Sequence, residues 1–324
     1  MKISREEQLI IDILFAENKL KKKDFENINF EKFVNIASLH LILPTIYIRL
    51  KKQHYLNFIP KDLKKYLSQI NNLNLDRNRN LVDELKELSK ILDYNDIDYI
   101  FIKGSAHIIS NIYTNISERM IGDIDFLFNP KQLEKVKYIL KQNKFKSKIK
   151  YSFFEFRHLK RMVKKGSLFA IEPHLKIIDK EIKNLNFRNI LNDKIYCSGF
   201  KIPGIHEMIL INIVNYQIND YGSRNLSYSY KSFYDTFLLL KHENIDFNKI
   251  LLNKHILKYF FIMDQLKIEL NYKFNFKNFL LTKIRFKLKR QLKIIFMIDN
   301  FITFFLMKIE TLPKQIFKLI KSRE

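Results

Sequence analysis

The stretch YIFIKGSAHIISNIYTNISERMIGDIDFLFNP, Tyr99–Pro130, decides the fold and chemistry of this chain. It begins as an apolar strand, turns at a glycine, continues as a helix and ends in a second apolar strand that carries Asp123 and Asp125. Because side chains alternate faces along a strand, these two carboxylates point the same way. Burying two acids side by side is costly unless a cation lies between them. Converging oxygen ligands of this kind suit Mg²⁺, which also binds substrate phosphates.

A third acid follows in the stretch FAIEPHLKI, Phe169–Ile177. Glu172 and His174 are two residues apart and share a face of a predicted strand. If this strand lies beside the one that carries the two aspartates, Glu172 completes a cluster of three carboxylates. Such a cluster can hold two metal ions for an in-line phosphoryl displacement.

The first part of the opening stretch predicts a phosphate-binding turn. Gly104 lets the backbone approach a ligand closely, and Ser105 starts a helix whose free N–H groups favour anions. Lys103 adds a positive charge beside this turn, and Arg119 adds another shortly before the aspartates.

The pattern of elements predicts an α+β fold with a small mixed β-sheet and helices packed on it. Apolar spacing predicts N-terminal helices with a break at Pro44, and an amphipathic helix over Leu81–Ile97. Tyr151–Val163 and Ser167–Ile178 read as two strands joined through a turn at residues 165–166, and strand signals stop after Pro203. We therefore predict an N-terminal helical region (1–80), an α/β core (81–200) and a C-terminal helical domain with a basic tail (201–324).

The order of these motifs resembles the DNA polymerase β-type nucleotidyltransferase superfamily, whose signature is a Gly-Ser turn, an Asp-x-Asp strand and a later third carboxylate. More narrowly, the chain resembles the "uncharacterised nucleotidyltransferase" family, which tends to have Lys-Gly at the turn, as at Lys103-Gly104 here. That family has an Arg before Asp-Ile-Asp and an acid-x-His strand, matched by Arg119 and by Glu172-Pro173-His174. Its usual acid in that strand is Asp, so Glu172 is a departure.

The resemblance implies transfer of a nucleoside monophosphate from an NTP to an acceptor hydroxyl, with release of pyrophosphate. It implies that Mg²⁺ or Mn²⁺ is bound by Asp123, Asp125 and Glu172, with Glu172 also helping to deprotonate the acceptor. By the same resemblance, Gly104 and Ser105 would cradle the β- and γ-phosphates. The acceptor is expected to be a small molecule, a saccharide or a peptide.

Four further residues have candidate roles at this stage. Arg119 either stabilises phosphate charge or pairs with an acid of the cluster, and Lys103 is expected to aid phosphate binding. His174 is a candidate for orienting Glu172 or touching the acceptor. Asp235, in the aromatic-rich helix SFYDTFLLLK, is a candidate for reaching the site or the acceptor.

Composition adds information about partners and location. The chain has 324 residues, a single cysteine and a net charge of +24. One cysteine excludes an internal disulfide and favours a reducing cytoplasm. The charge suggests attraction to nucleotides, nucleic acid or acidic lipid, although a Lys- and Asn-rich composition would also produce it. The basic C-terminal tail predicts peripheral contact with the inner membrane surface, an anionic polymer, or a solvated helical bundle.

Two functions of other classes compete with the leading interpretation. One is a toxin-like or defence nucleotidyltransferase that modifies tRNA or protein. The other is a non-catalytic nucleotide-binding scaffold, which would be favoured if Glu172 lay out of reach of the two aspartates.

Overall fold

The computed structural model describes residues 3–17, 19–147, 157–179, 182, 185, 187, 189–241, 245–251, 253–270, 272, 274–276 and 279–291. The first part of the predicted strand at 151–163 and the tail beyond residue 291 lie outside these residues. The predicted α+β class is confirmed. The structure contains a five-stranded mixed sheet, and helices precede and follow its strands in the chain.

The elements have the following bounds. The α-helices are α1 Arg5–Phe15, α2 Phe30–Leu39, α3 Leu43–Lys52, α4 Lys61–Tyr94, α5 Lys103–Ile109, α6 Leu133–Gln142, α7 Ile205–Val214, α8 Gly222–Asn225, α9 Tyr230–Leu240, α10 Phe247–Ile250, α11 Lys254–Gln265 and α12 Leu280–Gln291. Shorter 3₁₀ turns cover Lys22–Phe25, Ile116–Glu118 and Pro130–Gln132, and a π-helical turn covers Asn215–Asn219. The strands are β1 Tyr99–Phe101, β2 Asp123–Phe128, β3 Lys146–Ser147, β4 Met162–Val163, β5 Ala170–His174, β6 Ile195–Cys197 and β7 Phe200–Ile202.

The N-terminal helices follow the local signals closely. The predicted break at Pro44 is present: α2 ends at Leu39, and α3 begins with the proline in its first turn. No single helix among the described residues is long and apolar enough to cross a membrane. Together α2 and α3 have the length and composition for it, but they bend by 118° relative to each other.

Helix α4 is longer than the predicted helix, which began at Leu81. It starts after Pro60 and runs for 34 residues, straight through the predicted domain boundary at residue 80. Its buried stripe contains leucines at both ends, but three buried asparagines, Asn71, Asn74 and Asn78, occupy the middle. These asparagines interrupt the apolar periodicity, which is why the pattern marks only the C-terminal part of the helix.

The five-stranded sheet has the order β1-β2-β5-β4-β3. Strand β2 is antiparallel to β1 and parallel to β5, and β4 is antiparallel to both β5 and β3. The two predicted strands around the turn at residues 165–166 therefore do pair with each other. The parallel register sets Asp125 opposite Glu172.

Pro173 sits in β5, an inner strand of the sheet. Its carbonyl oxygen accepts a hydrogen bond from the Leu159 N–H at 2.8 Å. Pairing between β4 and β5 is confined to Met162 opposite Ile171, with an isolated bridge between His158 and His174. The proline nitrogen, which has no N–H to donate, therefore lies on the side of β5 where pairing with β4 is interrupted. A proline is tolerated in such a position.

The strands β6 and β7 form a hairpin that the sequence analysis missed. Its tight turn contains Ser198 and Gly199, both with positive φ. Each strand has only three residues, too few to produce a recognisable alternation. Beyond Pro203 the regular elements that the structure describes are all helices, as predicted.

One buried apolar core extends from Leu9 to Phe286 and includes residues from all three predicted regions. Helix α1 also makes polar contacts with α9 and α12, since the Tyr230 hydroxyl donates to Glu7 Oε1 at 2.8 Å and Arg290 pairs with the same carboxylate. The domain boundaries at 80 and 200 stay predictions, and both are crossed by shared packing.

Candidate active site

The parallel pairing of β2 with β5 builds the acidic centre of the molecule. Asp125 and Glu172 are register partners on these strands. His174 lies between the two carboxylates, with Nε2 at 2.8 Å from Asp125 Oδ1 and 3.1 Å from Glu172 Oε2. Ligand atoms of all three residues lie within 4.8 Å of one another, which is close enough for a single ion to contact them.

The tightest group of ligands therefore differs from the predicted one, because His174 takes part and Asp123 does not. Asp123 is the most exposed of the predicted acids and faces Arg161, whose Nη2 is 3.7 Å from Oδ2. Burial and the negative charges of Asp125 and Glu172 raise the pKa of the Asp123 carboxyl. A cation bound beside Asp123 would lower this pKa again, because its positive charge favours the ionised carboxylate.

The ammonium group of Lys103 lies among these acids. Its Nζ is 2.7 Å from Asp125 Oδ1, 3.3 Å from His174 Nε2 and 3.6 Å from Glu172 Oε2. Burial alone would raise the pKa of the Asp125 carboxyl, but the charge of Lys103 and the hydrogen bond from His174 outweigh it and lower that pKa far below its ordinary range. Asp125 is thus held as a carboxylate.

Lys103 also has an unusual backbone. Its φ is +54°, in the left-handed region that a lysine rarely adopts. Such strain is held only where the surroundings enforce it, and it occurs often at functional sites. Here the turn from β1 into α5 directs the lysine side chain toward β2.

Gly104 and Ser105 occupy different surroundings from those predicted for a phosphate cradle. A Cβ on Gly104 would come within 3.2 Å of the Ile121 side chain, so the glycine permits close packing of α5 on the segment before β2. Ser105 is 1% exposed, and its hydroxyl has no hydrogen-bond partner among the described residues. Gly104 lines the site cavity described below, whereas Ser105 is absent from its walls.

Arg119 forms a buried ion pair, which was one of its two predicted roles, but its partner is Asp235 of α9 and not a strand acid. The Nη2–Oδ2 distance is 2.9 Å. Asp235 also accepts from the Tyr113 hydroxyl at 2.7 Å and lies 3.6 Å from His107 Nδ1. Although burial raises it, the Arg119 charge lowers the pKa of Asp235 overall. Arg119 and Asp235 are therefore ion-pair partners of each other, at the junction between the sheet and α9.

The segment that carries Arg119 is clamped by the asparagines of α4. Asn74 Nδ2 donates to the carbonyl oxygens of Ser117 at 2.6 Å and Arg119 at 3.1 Å. Asn78 Nδ2 donates to the Arg119 carbonyl oxygen at 2.8 Å. These bonds satisfy buried carbonyls just ahead of β2, so α4 positions both Arg119 and the start of the acidic strand.

A cavity of about 280 Å³ opens beside the acids, between the sheet and the C-terminal helices. One wall is formed by the turn into α5 and the start of β2, and the opposite wall by α7, the π-helical turn and α9. Its lining residues are Lys103, Gly104, Arg119, Met120, Ile121, Gly122, Asp123, Asp125, Asn212, Asn215, Tyr216, Asp220, Ser229, Lys231, Ser232 and Asp235.

The sequence analysis missed several charged or titratable residues of this region, among them Arg161 beside Asp123 and Asp220 in the cavity wall. His158 Nδ1 is 3.5 Å from Glu172 Oε1, and its ring centroid is 5.3 Å from that of His174. Hairpin pairing about the turn at residues 165–166 was the available signal, since it sets His158 opposite His174. Lys231 lines the cavity from α9, and no local pattern marked it.

Comparison with known families supports the motif-based interpretation. Residues 26–259 match the family described as "uncharacterised nucleotidyltransferase". The chain belongs to this nucleotidyltransferase family. No curated protein matches it. Family membership indicates nucleotidyl transfer as the general activity, without naming a donor or an acceptor.

The family match ends in α11. It therefore includes α7, the π-helical turn and α9, which form the second wall of the cavity. The part of the C-terminal region that lines the site belongs to the family's common unit. Helix α12 and the tail lie outside the match.

The donors present fit a divalent cation of the kind that nucleotidyltransferases use. The two carboxylates offer hard oxygen ligands and the imidazole offers a borderline nitrogen, so the three residues together could hold a divalent cation. Burial would raise the pKa of Glu172, but the hydrogen bond with His174 and the positive charge of Lys103 together lower it, so Glu172 keeps its charge there. A cation that bound Asp125 Oδ1 would compete with the Lys103 ammonium for that oxygen.

Proposed function

We propose that this protein transfers a nucleoside monophosphate from an NTP to an acceptor hydroxyl and releases pyrophosphate. The observation that carries the proposal is the pairing of β2 with β5, which sets Glu172 beside Asp125 next to a cavity lined by Asp123. The scaffold alternative expected Glu172 out of reach, whereas its ligand atom lies within 4.8 Å of that of Asp125. This proximity supports the catalytic interpretation.

In the proposed enzyme, Asp123, Asp125 and Glu172 hold Mg²⁺ or Mn²⁺. The bound cation supplies positive charge to the phosphate oxygens on which negative charge develops. The chain's own contribution is to keep these carboxylates ionised and correctly spaced. For two of them, Lys103 and His174 do so: the Lys103 Nζ is 2.7 Å from Asp125 and 3.6 Å from Glu172, and the His174 Nε2 lies 2.8 Å and 3.1 Å from the same carboxylates.

The proposed reaction balances as follows. The acceptor oxygen forms a bond to the α-phosphorus, and the bond from that phosphorus to the bridging oxygen of the β-phosphate breaks. Pyrophosphate leaves with that bonding pair. The proton of the acceptor hydroxyl passes to Glu172, whose side chain is 17% exposed and carries a negative charge at neutral pH.

The acceptor class is part of the proposal: a small molecule, a saccharide or a peptide. The alternative of tRNA or protein modification draws on the net charge of +24. A cytoplasmic location also stays a proposal. So does contact of the tail with the inner membrane surface or an anionic polymer, because residues 292–324 lie outside the described part of the chain.

Calorimetric titration of each NTP with Mg²⁺ tests the proposal. Wild type is compared with Asp123→Asn, which removes a half-exposed acid, and with Asp76→Asn on the exposed face of α4 as a matched control. We expect metal-dependent binding of one or more NTPs that is retained in Asp76→Asn and lost in Asp123→Asn. Failure of wild type to bind any NTP with Mg²⁺ or Mn²⁺ would reject the proposed donor.

A further inference from the structure

Three cationic side chains line the cavity, and they differ in how the protein neutralises them. Lys103 pairs with Asp125 at 2.7 Å, and Arg119 pairs with Asp235 at 2.9 Å. Lys231, in contrast, forms no ion pair or side-chain hydrogen bond with any residue that the structure describes. Its positive charge faces the cavity without a counter-charge in contact.

The surroundings of Lys231 disfavour that charge. The positive charge of Arg119 and burial lower the pKa of the Lys231 ammonium to about 8. Asp235 on the same helix, Asp220 after the π-helical turn and Asp123 on β2 act in the opposite direction without compensating for it. A cation kept where its own protein destabilises it is typical of a site whose ligand brings the opposite charge.

The position of Lys231 in α9 strengthens the positive potential on this wall. It is the second residue of an 11-residue helix that begins after Ser229. The helix dipole is positive at this end. The Tyr230 N–H donates to His40 Nδ1 and the Ser232 N–H to Ser229 Oγ, so the contribution of this turn is the dipole and the Lys231 side chain. Ser229 and Ser232 of the same turn also line the cavity.

The opposite wall carries the acids that would hold the cation and the reacting α-phosphate. The cavity connects those acids to Lys231, so a donor with its α-phosphate at the acids can extend its remaining phosphates across the cavity to this lysine. We propose that Lys231 and the first turn of α9 bind the β- and γ-phosphates of the donor. This inference rests on the proposed function and names the part of the substrate that the C-terminal helical region recognises.

The consequence is selectivity for the length of the phosphate chain. Lys231 contacts only phosphates beyond the first, so a nucleoside monophosphate gains nothing from it. Nucleoside triphosphates therefore bind more tightly than monophosphates, and that preference depends on Lys231. After the reaction Lys231 contacts the pyrophosphate product and makes no contact with the nucleoside monophosphate that is now attached to the acceptor.

Titration calorimetry with inorganic tripolyphosphate, without added metal, tests the subsite separately from nucleotidyl transfer. The variants are Lys231→Met, which keeps the aliphatic stem, Lys231→Arg, which keeps the charge, and Lys241→Met at the far end of the same helix as the matched control. We expect Lys231→Met to weaken tripolyphosphate binding by about tenfold or more, the usual effect of losing one charge-assisted hydrogen bond. Lys231→Arg and Lys241→Met are expected to stay near wild type.

The outcomes separate this inference from the proposed function. Equal tripolyphosphate affinity in wild type and Lys231→Met, or no binding by wild type, overturns the inference even if NTP binding depends on Asp123. Loss that is confined to Lys231→Met supports it, even if wild type binds no nucleotide and the proposed donor is rejected. Thermal unfolding of each variant checks that the loss comes from a folded protein.

Discussion

Replacing Lys231 with Met is expected to stabilise the folded protein at neutral pH. The pKa of the ammonium falls from 10.5 to about 8 in the folded state. Each pKa unit corresponds to about 1.4 kcal/mol, so the charged lysine destabilises the fold by about 3 kcal/mol at pH 7. Methionine retains most of the buried stem without the charge, so the gain should approach that value, with about 1 kcal/mol as a lower bound.

The sign of the pH dependence follows from proton linkage. Between pH 8 and 10.5 the unfolded chain keeps its proton on Lys231, whereas the folded chain releases it. Stability of the wild type therefore rises with pH in that interval relative to the variant. The advantage of Lys231→Met is complete below about pH 8 and disappears above about pH 10.5.

Urea unfolding followed by circular dichroism measures this difference at several pH values. Lys241→Met is the control, because Lys241 is an exposed cation paired with Glu17 at 2.7 Å, and its loss should change stability by less than about 1 kcal/mol. A destabilised Lys231→Met at pH 7, or a stability difference that does not change between pH 7 and 10, would refute the reasoning about an unpaired charge in the cavity.

Three other substitutions probe the framework of the site. Lys103→Met leaves Asp125 buried without its counter-charge and should cost about 3–5 kcal/mol; added Mn²⁺ should raise the melting temperature of this variant more than that of wild type. Asp235→Asn should cost about 3–5 kcal/mol in urea unfolding, because Arg119 keeps a buried charge; an unchanged midpoint would contradict this. Asn78→Ala should cost about 1–3 kcal/mol, since the Ile116 carbonyl loses a donor and the Arg119 carbonyl keeps only the longer bond from Asn74, and faster amide exchange in residues 116–122 would accompany it.

Local patterns predicted much of the site's framework. The sequence of strand, glycine turn, helix and acidic strand depends on near-neighbour interactions, so it can be inferred from residue spacing alone. The sequence also proposed Glu172 as a neighbour of the aspartates, on the condition that the two strands pair. It predicted neither the length of α4 nor the β6–β7 hairpin, because buried asparagines and three-residue strands leave no clear periodicity.

Predicting which groups pair inside the site was harder. Lys103 was expected near phosphates, and Arg119 either near phosphates or paired with an acid of the strand cluster. Their ion pairs with Asp125 and Asp235 depend on side-chain packing between distant segments. The same holds for His174, which joins the tightest ligand group in place of Asp123. A buried carboxylate pairs with whichever cation the fold places beside it. Residue spacing along the chain does not show which cation that is.

The amino-acid sequence by itself determined that two carboxylates share one face of an apolar strand, that a glycine turn precedes them and that Pro44 divides the N-terminal helices. Each of these follows from alternation along a strand or from the geometry of proline, which involve only neighbouring residues. The tertiary structure alone decided that β5 lies parallel to β2, that α9 closes the cavity and that Lys231 lacks a partner there among the described residues. These features arise from contacts between segments far apart in the chain, where burial and charge pairing are set by the whole fold.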